Sequence, residues 1–278
     1  MVSARASLGR EGSSILTEPF HWSMKSQRNP IVLIPSSNRL LEIQDQVRAY
    51  FGWKESEDIS SAEELLHRVE KSGLEKWNNQ NRSASLDTLH RTLVTERPRI
   101  AVLGAAIEPE EVIANLNKST IMVAADGASG VISELPNHLS EMAWSRMACI
   151  VSDADGGEGT LQAVRRGIPV VLHAHGDNRD DWKALIELAE SQATPPDLIL
   201  THQTSKEIIG MHNPGGFTDG DRASCFLTAL GVGNRKIMIL GTNSNKVGRW
   251  SGHTSEQTKI EKLRWMEKSF ILQGLWTN

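Results

Sequence analysis

From Arg99 onward, short apolar runs alternate with segments whose apolar residues recur at helical spacing. The runs are rich in β-branched and aliphatic residues and predict strands at residues 100–103, 120–124, 148–152, 168–172, 198–201 and 236–240. The other segments predict helices at residues 109–116, 160–166, 180–192, 219–230 and 255–272. Strands that alternate with helices pair in parallel through right-handed crossovers. The pattern therefore predicts an α/β fold, with a doubly wound, mostly parallel sheet that is covered on both faces.

The first 98 residues lack this alternation. They predict a small, mainly helical N-terminal region ahead of an α/β catalytic domain at residues 99–278, with a disordered tail at residues 1–14. The spacing of apolar residues predicts helices at residues 40–51 and 61–69. Polar and glycine residues predict a turn between them at residues 52–58 and a loop at residues 78–85. Three tryptophans are expected to be packing anchors, Trp22, Trp53 and Trp77. The same region could equally cover the site of the second domain.

Polar residues follow the predicted strands where each apolar run ends. They include Asp126 after the second strand, Asp153 after the third, His173 to Asn178 after the fourth and Gln203 after the fifth. The carboxyl ends of parallel strands meet at one edge of the sheet, and ligands of open α/β sheets bind at that edge. The sequence therefore predicts a site for a small molecule there.

The turn after the fourth strand carries two imidazoles, a carboxylate and an amide in the run His-Ala-His-Gly-Asp-Asn. A polar ligand or a metal would use such groups. His173 and His175 could form a zinc or iron pair, as in metal-dependent hydrolases. In a purely structural alternative, Asp177 or Asn178 caps the following helix and the imidazoles bond backbone carbonyls. The residues alone leave these alternatives open.

Asp153 and Asp155 are two residues apart, so in an extended segment their carboxylates point to the same side. A cation between them would relieve their repulsion, and oxygen-only ligands suit Mg²⁺, which joins carboxylates to substrate phosphates. Asp177 would supply a third carboxylate. The alternative is an acidic turn in which two following glycines adopt positive φ angles. The position of the pair at the end of a strand favours the metal site.

A glycine-rich loop runs into the predicted helix at residues 219–230. Its glycine, polar and charged residues include Gly215, Gly216, Thr218, Asp219, Asp221 and Arg222. Backbone N–H groups at a helix start attract phosphate, and Arg222 could add a forked contact. The alternative is a glycine turn followed by a capping box of Thr218 and Asp221, with the acidic residues neutralising the helix dipole.

Two simpler features favour structural roles. Asp126 alone predicts a helix cap. Lys259 and Lys262 lie on one face of the last predicted helix, which favours a solvated basic surface.

Composition narrows the class of protein. The 278 residues are 39% hydrophobic, enough for a sizeable core, and the net charge of −4 gives no electrostatic footprint for nucleic acid. No apolar run is long enough to cross a bilayer. Cys149 and Cys225 predict core residues, and the lack of a disulfide framework favours a cytoplasmic setting. The chain also lacks the phosphate-loop, dinucleotide-binding and nucleophile-elbow motifs.

With these motifs assembled, the chain resembles the archaeal-type 6-hydroxymethyl-7,8-dihydropterin diphosphokinases, the family with the His-Ala-His-Gly-Asp-Asn signature. The resemblance covers most of the chain beyond about Leu40 and rests on residues 51–58, 65–66, 125–128, 152–156, 173–178, 203, 215–223, 259 and 262–263. Two segments differ from the family pattern. The turn after the first strand is Gly104-Ala105-Ala106-Ile107, and Asn243 stands where an aspartate is usual.

The resemblance implies a fold similar to thiamine diphosphokinase and a transfer of diphosphate from ATP to the pterin hydroxymethyl group, with Mg²⁺, releasing AMP. It implies metal ligands at Asp153, Asp155 and Asp177, with His175 also catalytic. The nucleotide is expected at Asp126 and in the glycine-rich loop, at Gly215, Gly216, Thr218, Asp219, Asp221 and Arg222. The pterin is expected at His173, Asn178 and Gln203.

The expected partners are small molecules only, the pterin and ATP, with neither nucleic acid nor membrane, and the chain could form a homo-oligomer. Three alternatives remain at this stage. They are a glycosyltransferase related to flagellin-modifying proteins, a zinc- or iron-dependent hydrolase that uses His173 and His175, and a non-catalytic nucleotide-binding relative.

Overall fold

Six strands pair side by side and in parallel to form one sheet. The computed structural model describes residues 31–96, 98–252 and 255–276. In chain order the strands are β1 (Arg99–Leu103), β2 (Thr120–Ala125), β3 (Met147–Ser152), β4 (Val170–Ala174), β5 (Leu198–His202) and β6 (Ile237–Leu240). Their order across the sheet is β5-β4-β3-β2-β1-β6. The predicted α/β fold with a parallel sheet is confirmed.

Helices cover both faces of the sheet. They are α1 (Arg39–Phe51), α2 (Glu55–Glu70), α3 (Asn79–His90), α4 (Pro109–Leu116), α5 (Asn137–Ser145), α6 (Gly157–Arg165), α7 (Arg179–Glu190), α8 (Asp219–Leu230) and α9 (Glu256–Gln273). Because helices lie on both sides, the strands are apolar on both sides. In β1, Ala101 and Leu103 enter a first core shared with α2 and α4 to α7, while Ile100 and Val102 enter a second core shared with α3 and α8.

The strand order reverses beside β1. The chain steps from β1 to β5 in one direction across the sheet, and α8 then leads back to β6, which pairs with the other side of β1. Open α/β sheets bind ligands at such a switch point, outside the carboxyl ends of the strands. The topology therefore places the expected site at the ends of β1 and its neighbours.

The N-terminal helices belong to the two cores of the sheet. Leu65 of α2 and the following Trp77 lie in the first core, and Leu86 of α3 lies in the second. Trp77 is fully buried, which confirms it as a packing anchor, whereas Trp53 is 37% exposed. Trp22 and the predicted disordered tail lie outside the described residues. The division of the chain at residue 98 stays a prediction.

Two local predictions were wrong, and one helix was missed. The run 78–85, predicted as a loop, forms the start of α3, because the Asn78 side chain accepts the Asn81 N–H at 2.8 Å and caps the helix. Residues 55–58, predicted as part of a turn, form the first turn of α2, where three acidic side chains favour the helix dipole. Helix α5 was not predicted at all.

Cys149 and Cys225 are both buried and reduced, as expected of core residues. Within the described ranges, every helix is too short or too polar to cross a bilayer.

Two histidines predict that the fold loses stability in acid: the buried His202 at the end of β5 and the half-buried His212 beside it. Burial, with the charge of a neighbouring residue, lowers the pKa of His202 and of His212 to about 4. The Nδ1 atom of His202 accepts the Thr204 N–H at 3.2 Å, which requires an unprotonated nitrogen. An unfolded histidine has a pKa of about 6.5, so between these values the unfolded chain binds more protons than the folded chain.

We therefore expect the stabilisation from these two histidines to be complete above pH 6.5 and to be lost as the pH falls toward 4. Each contributes a slope of up to about 1.4 kcal/mol per pH unit. Urea unfolding between pH 7.5 and 4.5 measures this slope. His202→Gln should flatten it. A slope in this variant equal to that of the natural protein would contradict the assignment.

Candidate active site

A cleft lies at the carboxyl ends of the strands next to the switch point. It is lined by the turns after β1, β2, β3 and β6 and by the start of α8 and one face of α9. The predicted collection of polar residues at this edge is therefore observed. Predicted site residues that line the cleft are Asp126, Asp153, Asp155, His175, Gln203, Thr218, Asp219 and Arg222.

Three carboxylates meet in this cleft. Asp126, Asp153 and Asp219 each offer one oxygen, and these three oxygens lie within 4.8 Å of one another. We call these residues the carboxylate group. The structure thus brings Asp153 together with the two aspartates that sequence reasoning assigned to nucleotide binding. It does not bring Asp177 into this group.

Asp126 is held rigidly at the end of β2. Its backbone has a φ angle of +47°, which non-glycine residues rarely adopt and which is typical of strained functional positions. The hydroxyls of Ser152 and Thr160 both donate to its Oδ1, the latter at 3.0 Å. A Cβ on Gly156 would lie 2.3 Å from Asp126 Oδ2, so only glycine fits there. The turn after β3 is therefore shaped around this carboxylate.

Burial and mutual repulsion make two of the three carboxylates weak acids. Burial, together with the charges of Asp219, Asp153 and Asp155, raises the pKa of Asp126 well above its usual value. Burial and the charge of Asp153 raise the pKa of Asp219 to about 7. Asp155 adjoins the group, and burial and the charge of Asp153 raise its pKa as well.

Asp153 behaves in the opposite way. Burial opposes its ionisation, but a hydrogen bond from His175 and the charges of His175 and Arg222 outweigh this and lower the pKa of Asp153. The His175 Nε2 lies 3.2 Å and the Arg222 Nη1 lies 3.4 Å from Asp153 Oδ2. Asp153 is therefore the member that stays ionised at neutral pH.

The carboxylate group fits a hard divalent cation. Oδ1 of Asp153 is buried and has no hydrogen-bond partner among the described residues. The ligand atoms are all oxygens, which suits Mg²⁺ better than a softer metal. A cation would also relieve the mutual repulsion that, after burial, raises the pKa of Asp126 and of Asp219.

The two histidines of the His-Ala-His-Gly-Asp-Asn run lie in different environments. His173 was predicted in the turn but belongs to β4, because the strand continues to Ala174, whereas His175 lies in the turn that follows, which we call the signature turn. His175 places its Nε2 toward Asp153 and its Nδ1 2.5 Å from Asp177 Oδ1. Burial lowers its pKa, but the hydrogen bonds to these two carboxylates override that effect and raise the pKa of His175 to about 9. His175 is therefore protonated at neutral pH, and Asp177, with an exposed side chain, serves it as a partner.

His173 is buried and neutral. Burial and the charge of Arg222 lower the pKa of His173 well below its usual value. Its Nδ1 lies 3.1 Å from the Thr201 hydroxyl, which itself donates to the Leu172 carbonyl, so Nδ1 carries the proton. Nε2 then keeps a buried lone pair with no partner in the described part of the chain. His173 does not line the cleft.

Asn178 stabilises the signature turn from inside. Its Oδ1 accepts the His175 N–H at 2.9 Å, and its Nδ2 donates to the carbonyls of Asp153 and His173, both at 2.8 Å. It occupies the N-cap position of α7 but makes no side-chain capping bond. The structural alternative for this turn was thus wrong, since both imidazoles bond side chains and, within the described ranges, neither bonds a backbone carbonyl. Contacts of Asn178 with a pterin stay a prediction.

The glycine-rich loop divides into two parts. Gly215 and Gly216 have φ angles of +88° and do not line the cleft, and Thr218 and Asp221 form the predicted capping box. Asp219 and Arg222 do face the cleft. The Arg222 Nη1 donates to Asp219 at 3.1 Å, so the guanidinium acts within the protein as a counter-charge to the carboxylate group. Phosphate binding by the loop stays a prediction.

Gln203 lies between two charged groups. Its Nε2 donates to Asp58 at 3.0 Å, and its Oε1 accepts from Arg222 Nη2 at 3.3 Å. Its side chain lines the cleft, but both ends of its amide are already bonded to protein. Recognition of the pterin by Gln203 stays a prediction.

Sequence reasoning missed the cationic and aromatic residues of the cleft. Lys246, Lys259 and Lys262 all line it, and none pairs with a carboxylate within the described ranges. Trp53 lines it too, with Phe51 stacked behind its ring at 4.7 Å between centroids and the Lys262 ammonium 5.4 Å from its centroid. The basic face predicted for the last helix therefore turns toward the carboxylates. The sequence signals were the three-residue spacing of Lys259 and Lys262 and the family resemblance, which includes residues 51–58, 259 and 262–263.

Comparisons with known proteins identify the family. A protein of Pyrococcus furiosus named 6-hydroxymethyl-7,8-dihydropterin pyrophosphokinase is 30% identical over an alignment of 195 positions that covers 65% of this chain and 73% of the relative. The chain belongs to this family. A protein of the same name from Methanothermobacter thermautotrophicus is 34% identical over 48% of this chain and 50% of its own length. A third, from Methanocaldococcus jannaschii, is 32% identical over 40% and 42% respectively. No protein-family model matches the chain.

The two segments that differ from the family pattern both line the cleft. A Cβ on Gly104 would lie 2.4 Å from Thr242 Oγ1, so the turns after β1 and β6 touch there and leave no room for a larger residue. The Asn243 Oδ1 accepts the Asn245 N–H at 2.7 Å and shapes its own turn. An asparagine thus keeps the acceptor oxygen of an aspartate at this position without its charge.

Proposed function

We propose that this protein transfers diphosphate from ATP to the hydroxymethyl group of 6-hydroxymethyl-7,8-dihydropterin, with Mg²⁺, and releases AMP. Membership of the pyrophosphokinase family supports the transfer and the pterin. The observation that carries the rest is the composition of the cleft, in which four carboxylates and three lysines line one cavity. Such a cavity suits a polyphosphate with a divalent cation, since the lysines attract phosphate and the carboxylates attract metal.

In the proposed reaction, the pterin hydroxyl oxygen forms a bond to the β-phosphorus of ATP. The bond from that phosphorus to the oxygen shared with the α-phosphate breaks, AMP leaves with that oxygen, and the hydroxyl proton is released to the solvent. Such transfers depend mainly on positioning and on electrostatic stabilisation. Lys246, Lys259 and Lys262 would bind the phosphates and hold them in line with the hydroxyl.

The carboxylate group would hold Mg²⁺, which when bound neutralises charge on the transferred phosphates. We place Asp126 and Asp219 beside Asp153 in this role, with Asp155 adjacent. Asp177 would act through His175, its hydrogen-bonded partner. Because His175 carries a proton at neutral pH, its role would be to orient Asp153 and to add a positive charge near the phosphates.

The planar pterin would lie against Trp53, whose exposed ring is backed by Phe51 and faces the cleft. Aromatic rings favour offset stacking with planar partners. The segment after α1 would then be part of the site. This agrees with the expectation from the sequence that the N-terminal region could cover the site of the second domain.

The alternative functions have less support. A zinc or iron hydrolase would need His173 and His175 to share one metal, but both ring nitrogens of His175 face carboxylates and His173 does not line the cleft. Among the described residues, the group with metal-ligand geometry contains no histidine. The named relatives are pyrophosphokinases and not glycosyltransferases.

Product analysis tests the proposal. The purified protein is incubated with ATP, MgCl₂ and the hydroxymethyl pterin, and the nucleotides are separated by chromatography. We expect AMP to form in a one-to-one ratio with a diphosphorylated pterin, and we expect a chelator to abolish both products. Formation of ADP, or no turnover of the pterin, would refute the assignment.

A further inference from the structure

Gln203 connects the N-terminal helices to the carboxylate group, and the two groups that it bonds determine its orientation. A carboxylate can only accept hydrogen bonds and a guanidinium can only donate them. Gln203 lies between Asp58 and Arg222, so its Nε2 must face Asp58 and its Oε1 must face Arg222. Because Nε2 is held by the acceptor Asp58, the amide presents its other end, the acceptor Oε1, to Arg222.

Asp58 is itself held at several points. It is 5% exposed in α2, and its Oδ1 accepts the Gly176 N–H of the signature turn at 2.8 Å. Its Oδ2 accepts from Arg48 Nη1 at 3.3 Å, and the same Arg48 nitrogen donates to the Gln203 carbonyl at 2.7 Å. The side chains of this network are all buried; they are those of Arg48, Asp58, Gln203 and Arg222. A buried network of this kind is costly to break, since each lost bond leaves an unpaired polar group.

We propose that Asp58 is a positioning residue of the active site, which fixes the amide of Gln203 so that Gln203 holds Arg222 beside Asp153 and Asp219. Arg222 needs such a partner. Its guanidinium adjoins two carboxylates of the group, and without an acceptor on its other side it would turn further toward them. It would then compete with a cation for the same oxygens. Asp58, which does not line the cleft, thereby controls the affinity of the carboxylate group for metal.

The argument predicts a specific rescue. Asp58→Asn places an amide donor against Gln203 Nε2, and Gln203→Glu places a carboxylate against Asp58. Each single change therefore breaks the alternation of donors and acceptors. The double variant D58N/Q203E restores it, because the new amide at position 58 can donate to the new carboxylate at position 203, which can also accept from Arg222. The double variant also keeps the net charge of the natural protein, and Arg48 keeps its bond to the backbone carbonyl of residue 203.

Four variants test this, D58N, Q203E, the double variant and D45N. Asp45 is the matched control, because it also pairs with Arg48 but contacts neither Gln203 nor Gly176 and has a largely exposed side chain. Calorimetric titration with MnCl₂, without nucleotide, measures metal affinity, and steady-state assays measure kcat for the pterin. We expect each single site variant to weaken Mn²⁺ binding and to lower kcat by about tenfold. The double variant should recover to within about threefold, and D45N should stay within about twofold.

A double variant no better than either single variant would overturn the inference, as would a D45N as impaired as D58N. If D58N does not fold, the comparison of Q203E with the double variant decides the same point. The inference rests on the proposed function only through the kcat measurement. A natural protein that binds Mn²⁺ but does not turn over the pterin would refute the proposed function, while the Mn²⁺ titrations would still decide the role of Asp58.

Discussion

Replacing Asp153 by asparagine is expected to lower kcat for diphosphate transfer by about 10³-fold, comparable to the loss of a main electrostatic contact in other enzymes. Asp153 is the member of the carboxylate group that stays ionised, and it contacts both His175 and Arg222. Asparagine preserves the size of the side chain, so the loss would come from the missing charge. Steady-state kinetics with ATP and the hydroxymethyl pterin measure the effect.

The control for this change is Asp180→Asn. Asp180 lies in the first turn of α7, close in sequence to the signature turn, but it is exposed and does not line the cleft. Its replacement should leave kcat within about twofold, as expected of a surface substitution. If D153N keeps more than about a tenth of the natural kcat, Asp153 is not central to the chemistry. Raising the MgCl₂ concentration should restore little of the activity of D153N.

Replacing Trp77 by alanine is expected to lower the free energy of unfolding by about 3–5 kcal/mol, the usual cost of removing a buried large aromatic side chain. Trp77 is fully buried in the first core, and its Nε1 donates to the Pro196 carbonyl at 2.8 Å. The change would leave a cavity and an unpaired carbonyl where the N-terminal helices meet the sheet. Urea unfolding followed by circular dichroism measures the loss.

Trp53→Ala, compared with Trp77→Ala, distinguishes a tryptophan that binds substrate from one that stabilises the core. Because Trp53 is 37% exposed and lines the cleft, its loss should cost about 1 kcal/mol of stability, a typical value for a point substitution. It should instead raise the KM for the pterin and leave the KM for ATP nearly unchanged. Equal destabilisation by the two tryptophan variants would show that the two rings have the same role, contrary to the structure.

The site could be predicted in part because strand ends are visible in a sequence. Apolar runs mark the strands, parallel pairing brings their carboxyl ends to one edge, and Asp126, Asp153 and Gln203 follow such runs directly. The capping box of Thr218 and Asp221 was also predictable, because it is a contact between residues three apart on one helix start.

The grouping of side chains at that edge was not predictable in the same way. Asp177 has the sequence position of a third metal ligand, yet its carboxylate faces His175, whereas Asp219, from the start of α8, enters the carboxylate group. Such choices depend on the direction of each side chain, which changes with a rotation of one residue in a turn. The lysines of α9 were visible in the sequence as a local spacing and as part of the family resemblance. What they face depends on how α9 packs against residues far away in the chain.

The sequence by itself determined the α/β class, the parallel sheet and the edge at which the polar residues collect, because these follow from local periodicity and from the geometry of parallel strands. Only the tertiary structure decided which carboxylates share one cavity, which histidine is protonated and how Asp58 reaches Arg222. These properties depend on burial and on short contacts between residues far apart in the chain. Burial and these contacts are set by how the elements pack in three dimensions, and local sequence patterns do not determine that packing.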